Sequence, residues 1–596
     1  MQERAAKSPA KPKISKPKSG KATAAKTNAK SSAIATKGLD PVDYAVISQA
    51  LIAIAREMGT KLIRSSYSNI VREAQDASAA LFDPAGNVVA QAELIPMHLG
   101  SMSEIFRACV ERTPISELKP GDFYINNDPY GGGQHLQDVF IFTPIFVDGD
   151  LIAFAGTVAH HLDLGGGNPG MTPDAVDVHA EGIIIPPSRY TYDRDWNGGP
   201  LERLVAANVR VPSQTIGDFY AQFAANAIGA ARMAELCQRY GITTVAAAMT
   251  ELMAYAERRF RSALAAIPDG TWYGEDAVDD DGITDQPLTV KAAVTKRGET
   301  VSVDYAGTIG QVGRNLNCPW ASTVSATLAA IKCALTSPDI PFNEGFKRPI
   351  TVTAPKGTLV NPNYPAPVRA RLLAAYRCFN AVLKALAQVV PDKVIAGGND
   401  STHALAISHL GERGYRVYLE IYGGGFGGGP RGDGCDAVDS PLSNCTNTPV
   451  EATDMDFDHF RIVGYGLLPD TGGAGRFRGG LGLFRRFLIL KDGTNFATYT
   501  DRVRLAPYGL FGGHDGSRTR IEIERDGAII KLKSKDRVDL RKGDFLTLYS
   551  SGGGGYGDPA TRDPALAARD LAEGYVTAGP AAPAYTTKVR TRKAQA

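Results

Sequence analysis

The sequence predicts a mixed α+β protein of several domains, in which a helical and hairpin-rich N-terminal part is followed by a β-rich, glycine-rich C-terminal part. Two observations support this fold class. In the first two thirds of the chain, apolar residues recur at helical spacing between short alternating segments that predict hairpins. From about residue 401 the pattern changes to short strands separated by glycine turns. At about 150 residues per domain, this length corresponds to roughly three or four domains.

The predicted division follows these changes of pattern. We expect a disordered basic tail at 1–38, an α/β domain at 39–270, a mixed α/β region at 271–400, a β-rich domain at 401–577 and a flexible tail at 578–596. The candidate metal site described below falls in the α/β domain.

Helices and hairpins alternate in the N-terminal part. Apolar spacing predicts a helix over 40–68, and a turn-forming Asp-Pro-Ala-Gly-Asn predicts a hairpin over 77–92. A second helix is predicted over 100–114 and a strand over 121–126. Two longer strands follow on either side of Asp148-Gly149-Asp150, which predicts a second hairpin.

The middle of the chain is mainly helical. Helices are predicted within 206–266 and over 321–336 and 371–390, with a hairpin over 286–307. The C-terminal third is predicted to consist of strands and tight turns.

The charge distribution separates the basic tail from the rest. The first 37 residues carry nine Lys, one Arg and one Glu, whereas the whole chain has a net charge of +2. With so few apolar residues the tail is expected to be disordered and to act as a solubilising extension, and nucleic-acid binding is not expected.

Cysteine usage and hydropathy indicate a cytoplasmic location. The chain has 7 cysteines, an odd and widely spaced set without a Cys-x-x-Cys pair, which argues against a disulfide framework and a thiolate zinc site. No secretory segment and no run of 18 apolar residues occurs, so we expect no membrane span.

Two segments carry the residues with the most chemistry. "NNDPYGGGQHLQDV" (126–139) enters the second hairpin and "TVAHHLDLGGG" (157–167) leaves it. In an antiparallel pair these two ends lie side by side, so the sequence predicts that the segments are neighbours. The alternative is that both are turn-rich loops with satisfied polar side chains.

The candidate metal ligands are His135, Asp138, His160 and His161. Imidazole and carboxylate groups suit Zn, Mn or Fe sites that keep an open position. Neighbouring strand residues face opposite sides, so we expect only one of the two adjacent histidines to be a ligand, with His160 preferred and the other hydrogen-bonded nearby.

Other polar residues admit two interpretations. Asp128 and Asp163 are candidates for proton transfer or ligand orientation, although Asn-Asp-Pro is also a turn initiator. His98 lies at the edge of a predicted helix and is expected to cap or pack there. Glu73 and Asp76 are either acids that support the site or surface groups.

The glycine runs at 423–434 and 551–559 do not predict nucleotide binding. Neither contains Gly-x-x-x-x-Gly-Lys-[Ser/Thr]. We expect tight turns and close backbone packing there instead.

Six ordered motifs resemble the hydantoinase B/oxoprolinase family, and the resemblance covers about residues 39–577. The motifs are "NDPYGGGQHLQDV", "AHHLDLGG", "SPLSNCTNTPVE", "PDTGGAGRFRGGLGL", "YGLFGGHDG" and "GGGGYGDPATRDPALAARDLAEGYV". In this family a His-x-x-Asp, followed by a His about 22 residues after the Asp, binds a divalent metal. The resemblance implies that His135, Asp138 and His160 are these ligands.

The resemblance also implies a division of labour. An A-type partner chain binds ATP and activates the substrate, and the B-type subunit completes the hydrolysis of a cyclic amide, so we expect a hetero-oligomer that acts on a small molecule. The alternatives are a subunit of an ATP-dependent ketone (acetone or acetophenone) carboxylase and a non-catalytic scaffold for the A-type subunit.

Overall fold

The computed structural model describes residues 39–92, 94–401 and 403–577. The predicted tails at 1–38 and 578–596 lie outside the described residues, and the domain boundaries stay predictions. The mixed α+β architecture is confirmed, with four main sheets and helices packed against them. In the part of the chain that the structure describes, no helix is long and apolar enough to cross a membrane.

An antiparallel six-stranded sheet forms the centre of the N-terminal part, in the order β2-β1-β5-β4-β3-β6. Both predicted hairpins are present, as β1–β2 and β4–β5. The strands are β1 (Ala77–Phe82), β2 (Val88–Gln91), β3 (Asp122–Asn126), β4 (Asp138–Val147), β5 (Asp150–His160) and β6 (Ser188–Thr191).

Helices cover both faces of this sheet. They are α1 (Pro41–Ser65), α2 (Asn69–Arg72), α3 (Pro96–Arg112), α4 (Pro200–Asn208), α5 (Pro212–Tyr240) and α6 (Ile242–Ala265). Alternate side chains of β1 divide between the two faces: Ala79 packs in the core that contains α1 and α5, whereas Phe82 stacks on Phe106 of α3. Helix α3 begins four residues before its predicted start, at Pro96, because proline is well accommodated in a first helical turn.

The middle of the chain adds a four-stranded sheet, in the order β10-β9-β8-β7. Its elements are β7 (Gly270–Val278), β8 (Leu288–Arg297), β9 (Thr300–Asp304), α7 (Trp320–Leu335), α8 (Glu344–Lys347), β10 (Ile350–Thr353) and α9 (Arg371–Leu386). The predicted hairpin is β8–β9, whereas β7 was not predicted. Gly274 in β7 allows α9 to approach closely, since a Cβ there would lie 2.1 Å from the Ala381 carbonyl oxygen.

The C-terminal part is β-rich, as predicted, and contains two sheets in the orders β12-β11-β15-β18 and β13-β14-β19-β16-β17. Aromatic side chains such as Tyr418, Phe460 and Phe487 fill the core between them. Its elements are β11 (His403–Gly411), β12 (Gly414–Tyr422), α10 (Val450–Asp456), β13 (Phe460–Leu467), β14 (Leu483–Ile489), β15 (Thr494–Tyr499), β16 (Arg520–Arg525), β17 (Ala528–Lys531), β18 (Lys535–Leu540), β19 (Phe545–Tyr549) and α11 (Pro564–Ala572).

The glycine runs of this part pack backbone against backbone. The N–H of Gly553 donates to the carbonyl of Gly480, and the N–H of Gly425 donates to the carbonyl of Ser551. A Cβ on Gly553 would lie 1.9 Å from the Phe426 carbonyl oxygen, which is closer than any side chain allows. The runs therefore join distant loops in close contact.

A buried ion pair links the two C-terminal sheets. The Arg485 guanidinium of β14 contacts the Glu420 carboxylate of β12, and both side chains are 0% exposed. Glu420 also accepts a hydrogen bond of 2.6 Å from the Tyr418 hydroxyl. The next residue, Arg486, points to the opposite side and pairs with Glu524, where the two side chains are 34% and 41% exposed.

We expect Arg485→Met to destabilise the protein far more than Arg486→Met. The first change leaves a buried carboxylate without its cation, which costs about 3–5 kcal/mol, whereas loss of an exposed pair costs about 1 kcal/mol or less. Urea unfolding of both variants measures the difference. Equal losses of stability would contradict a buried, interdependent pair.

Candidate metal centre and pocket

The β4–β5 hairpin brings the two chemically rich segments together. Asp138 begins β4, His160 ends β5, and their Cα atoms are direct partners across the antiparallel ladder. Before β4 the chain folds back sharply: the N–H of Gly133 donates to the Asp128 carbonyl at 2.7 Å, and a Cβ on Gly133 would lie 2.6 Å from that oxygen. This turn places His135 in a loop that faces both partners.

Three of the predicted ligands form one buried cluster. One ligand atom from each of His135, Asp138 and His160 lies within 4.8 Å of the others. The two imidazole rings are 5.0 Å apart between centroids. The Nε2 atom of His160 is buried and has no hydrogen-bond partner among the described residues. This donor set fits a divalent transition metal.

The hydrogen bonds of His135 leave a lone pair toward Asp138. Its Nδ1 lies 3.0 Å from the Arg369 carbonyl oxygen, which can only accept, so Nδ1 carries the hydrogen. Burial, followed by the Arg371 cation, lowers the pKa of His135 to about 4, so the ring is neutral at pH 7. Its Nε2 therefore presents a lone pair to Asp138 Oδ1 at 3.0 Å. Two acceptors at this distance are stabilised by a cation between them.

Arg371 keeps Asp138 ionised. Its guanidinium contacts Asp138 Oδ2 and also donates to Gln134 Oε1 at 2.8 Å. Burial opposes ionisation of Asp138, but Arg371 and then His135 outweigh it and hold the pKa of the carboxyl well below its usual range. Asp138 is thus an anionic group in a buried site.

Two residues that the sequence left ambiguous complete the cluster. His98, in the first turn of α3, has its Nε2 3.5 Å from Asp138 Oδ2 and 3.6 Å from Asp76 Oδ1. Asp76 Oδ2 lies 3.7 Å from His160 Nδ1, and burial raises the pKa of Asp76 to about 7. Had the pairing of β1 with β5 been predicted, it would have placed Asp76 opposite His160, because Ala77 pairs with Ala159.

His161 does not join the three clustered ligands. Its ring stacks on Phe219 of α5 at 4.1 Å, and its Nε2 donates to Gln222 Oε1 at 3.0 Å. The Gln222 amide nitrogen in turn donates to the Val139 carbonyl, which fixes the orientation of the amide. His161 therefore attaches the end of β5 to α5.

The predicted proton-transfer acids bind other protein groups. Asp163 accepts hydrogen bonds from the backbone N–H and the guanidinium of Arg210, the latter at 2.9 Å. Asp128 accepts the backbone N–H of Tyr130 at 2.9 Å, as expected of a turn initiator. Glu73 is paired with Arg72 at 2.7 Å.

A narrow pocket of about 60 Å³ opens onto the cluster. The polar part of its lining comes from the N-terminal sheet and the start of α9, and the apolar part from α9, β12 and nearby loops. The polar lining residues are Asp76, His98, His135, His160, Arg369 and Arg371. The apolar ones include Met97, Met171, Leu373, Leu419 and Ile421. The arrangement suits a small ligand with one polar and one apolar side.

Comparison with known proteins agrees with this geometry. The family model described as Hydantoinase B/oxoprolinase matches residues 40–559. The chain belongs to this family. The resemblance inferred from the six motifs is therefore confirmed.

Individual relatives cover most of the chain. A B-type D-/L-hydantoinase subunit of Pseudomonas sp. (strain NS671), so named provisionally, is 35% identical over 560 residues, which is 91% of this chain and 94% of that protein. The 5-oxoprolinase of Dictyostelium discoideum is 31% identical over 88% of this chain but only 41% of its own length. The crystal structure of the ATP-dependent caprolactamase from Pseudomonas jessenii superposes with a TM-score of 0.84 at 28% identity, covering 91% of this chain and 95% of that one.

We expect adjacent substitutions at the end of β5 to separate a metal ligand from its neighbour. His160→Gln should abolish stoichiometric binding of a divalent metal, because it removes one of three clustered donors. His161→Gln should retain the metal and lower only the thermal stability, because this side chain contacts α5. Metal content by inductively coupled plasma mass spectrometry, measured with melting curves, tests both. Equal metal loss in the two variants would contradict the assignment.

Proposed function

We propose that this chain is the metal-bearing subunit of an ATP-dependent cyclic-amide hydrolase. The observation that carries the proposal is the pair of opposed acceptors, His135 Nε2 and Asp138 Oδ1, held 3.0 Å apart beside His160 at one side of a pocket. His135, Asp138 and His160 would hold the divalent cation, with Zn, Mn and Fe all compatible with this donor set. The cation would supply Lewis-acid polarisation to a substrate carbonyl oxygen.

The surrounding protein groups prepare these ligands. The carbonyl of Arg369 selects the neutral form of His135 with its hydrogen on Nδ1, and Arg371 keeps Asp138 in its carboxylate form. Gln134 holds Arg371 in turn. The donor set is therefore in its metal-binding protonation state before any cation arrives.

Asp76 is the group best placed to carry a proton. Its carboxylate lines the pocket and lies between His98 and His160, at 3.6 and 3.7 Å from their nearest ring nitrogens. The acids predicted from the sequence, Asp128 and Asp163, are instead engaged by backbone and Arg210 donors. We therefore assign to Asp76 the acid–base role that was predicted for them.

The apolar side of the pocket suits the ring of a small cyclic amide. Met171, Leu419 and Ile421 supply apolar contacts and limit access of water to the cluster. Hydantoins, 5-oxoproline and caprolactam, the compounds after which the relatives are named, all contain an amide within a ring.

ATP is assigned to a partner chain. The glycine runs of this chain are used for backbone packing, and the related caprolactamase is ATP-dependent. The hydantoinase relative is named as one subunit of a larger enzyme, and the longer 5-oxoprolinase extends well beyond the match. These observations support a hetero-oligomer in which ATP is bound by an A-type subunit.

The test is to produce the chain together with an A-type subunit, and to assay ATP-dependent turnover of hydantoin, 5-oxoproline and caprolactam with metal analysis of the same samples. We expect His135→Ala and Asp138→Ala to lose the metal and to lower turnover by more than about 100-fold. His161→Gln is the matched control and should keep both.

Other outcomes identify the alternatives. Full metal content in both alanine variants would reject the metal site. Undiminished turnover in a metal-free complex would favour a scaffold role for this chain. ATP-dependent carboxylation of acetone, without turnover of any cyclic amide, would replace the hydrolase by a ketone carboxylase.

A further inference from the structure

Arg369 is a buried cation without a counter-ion in the pocket wall. The residue is 6% exposed. Its guanidinium donates to two backbone carbonyls, those of Gly170 and Glu181. Within residues 39–92, 94–401 and 403–577, no carboxylate oxygen lies within the 4.0 Å ion-pair distance of this guanidinium. Because a buried charge is costly unless it is paired, this cation calls for an anionic partner that the chain itself does not supply.

The segment that carries Arg369 is held firmly in place. The Tyr130 hydroxyl donates to the Ala366 carbonyl, and the Asn317 amide donates to the Pro367 carbonyl at 2.9 Å. The Glu181 carboxylate accepts the backbone N–H groups of Val368 and Arg369, both at 2.9 Å. With its backbone fixed on both sides, Arg369 presents its charge at one position in the pocket wall.

The charge balance of the site points the same way. Arg371 is already paired with Asp138, so it is not available to a ligand. Two arginines and two carboxylates, Asp76 and Asp138, surround the cluster and balance when both acids are ionised. A divalent cation on the three ligands would leave an excess of positive charge next to Arg369, which favours an anionic ligand.

We propose that Arg369 is the anion-binding residue of this pocket and that the substrate presents an oxyanion, a carboxylate or a phosphoryl group, to its guanidinium. The rest of that substrate is small and apolar, because the pocket measures about 60 Å³ and its remaining wall is formed by Met97, Met171, Leu419 and Ile421. A planar guanidinium binds both kinds of oxyanion through paired hydrogen bonds. The inference rests on the proposed function for the identity of the site.

The experiment measures anion binding directly by isothermal titration calorimetry. The full chain, in its wild-type and Arg369→Met forms, is titrated separately with inorganic phosphate and with acetate, and metal content is recorded for each sample. We expect the wild type to bind at least one anion and the variant to bind it about tenfold to a hundredfold more weakly, since hydrogen bonds to a charged group are lost. A preference for phosphate indicates a phosphoryl group, and a preference for acetate indicates a carboxylate.

Arg314→Met is the matched control. This arginine lies outside the pocket lining, donates to the Asp174 carbonyl at 2.7 Å, and carries the same charge. The control should bind the anion as the wild type does. No binding of either anion by the wild type, or equal weakening in both variants, overturns the proposal.

A second measurement does not depend on the folding of a variant. Crystals of the wild-type chain soaked in selenate allow the anion to be located by its anomalous scattering. We expect selenate within hydrogen-bonding distance of the Arg369 guanidinium, and its absence from that position overturns the proposal. The outcomes separate from those of the proposed function: Arg369→Met should keep its metal, and loss of metal in His135→Ala leaves the anion assay of Arg369 unchanged in meaning.

Discussion

The antiparallel pairing of Asp138 with His160 is the constraint on which the site depends. Strand pairing joins residues that are 22 positions apart and places both at the same end of a hairpin whose strands lie in the interior of a six-stranded sheet. The sheet is buried on both faces, so the positions of these two backbones are determined by packing on both sides. The glycine turn before β4 then brings His135 back to the same end. A precise polar cluster is thereby built on rigid elements rather than on mobile loops.

Burial determines the chemistry of the cluster as much as proximity does. In this setting the pKa of His135 falls and the pKa of Asp76 rises, because water no longer stabilises their charged forms. Asp138 stays ionised only because Arg371 is adjacent. The site thus contains neutral imidazoles and a fixed carboxylate, the forms that bind a metal, together with one acid whose pKa lies near neutrality. Similar residues on an exposed loop would have none of these properties.

The pocket exists because distant parts of the chain meet at the cluster. Arg369 and Arg371 come from the start of α9, whereas Leu419 and Ile421 come from β12. The C-terminal sheets are joined by the Arg485–Glu420 pair, and the glycine runs bring their connecting loops into backbone contact. The β-rich C-terminal part therefore contributes to the site by closing its apolar side. This use of glycine also explains why these runs contain no phosphate-binding motif.

The sequence by itself determined the local structure and half of the site. Apolar periodicity and turn residues were sufficient for the main helices and for both N-terminal hairpins, and the hairpin was sufficient to place Asp138 beside His160, because register and side-chain alternation are local properties. The six motifs were sufficient for the family. Only the tertiary structure decided the roles of Asp76, His98, Arg369 and Arg371, and it placed His161 and Asp163 against α5 and Arg210 instead of in the cluster. These outcomes depend on which strand pairs with β5 and on where α9 begins in space, and on the burial that follows. Such long-range contacts leave no periodic signal in a single sequence.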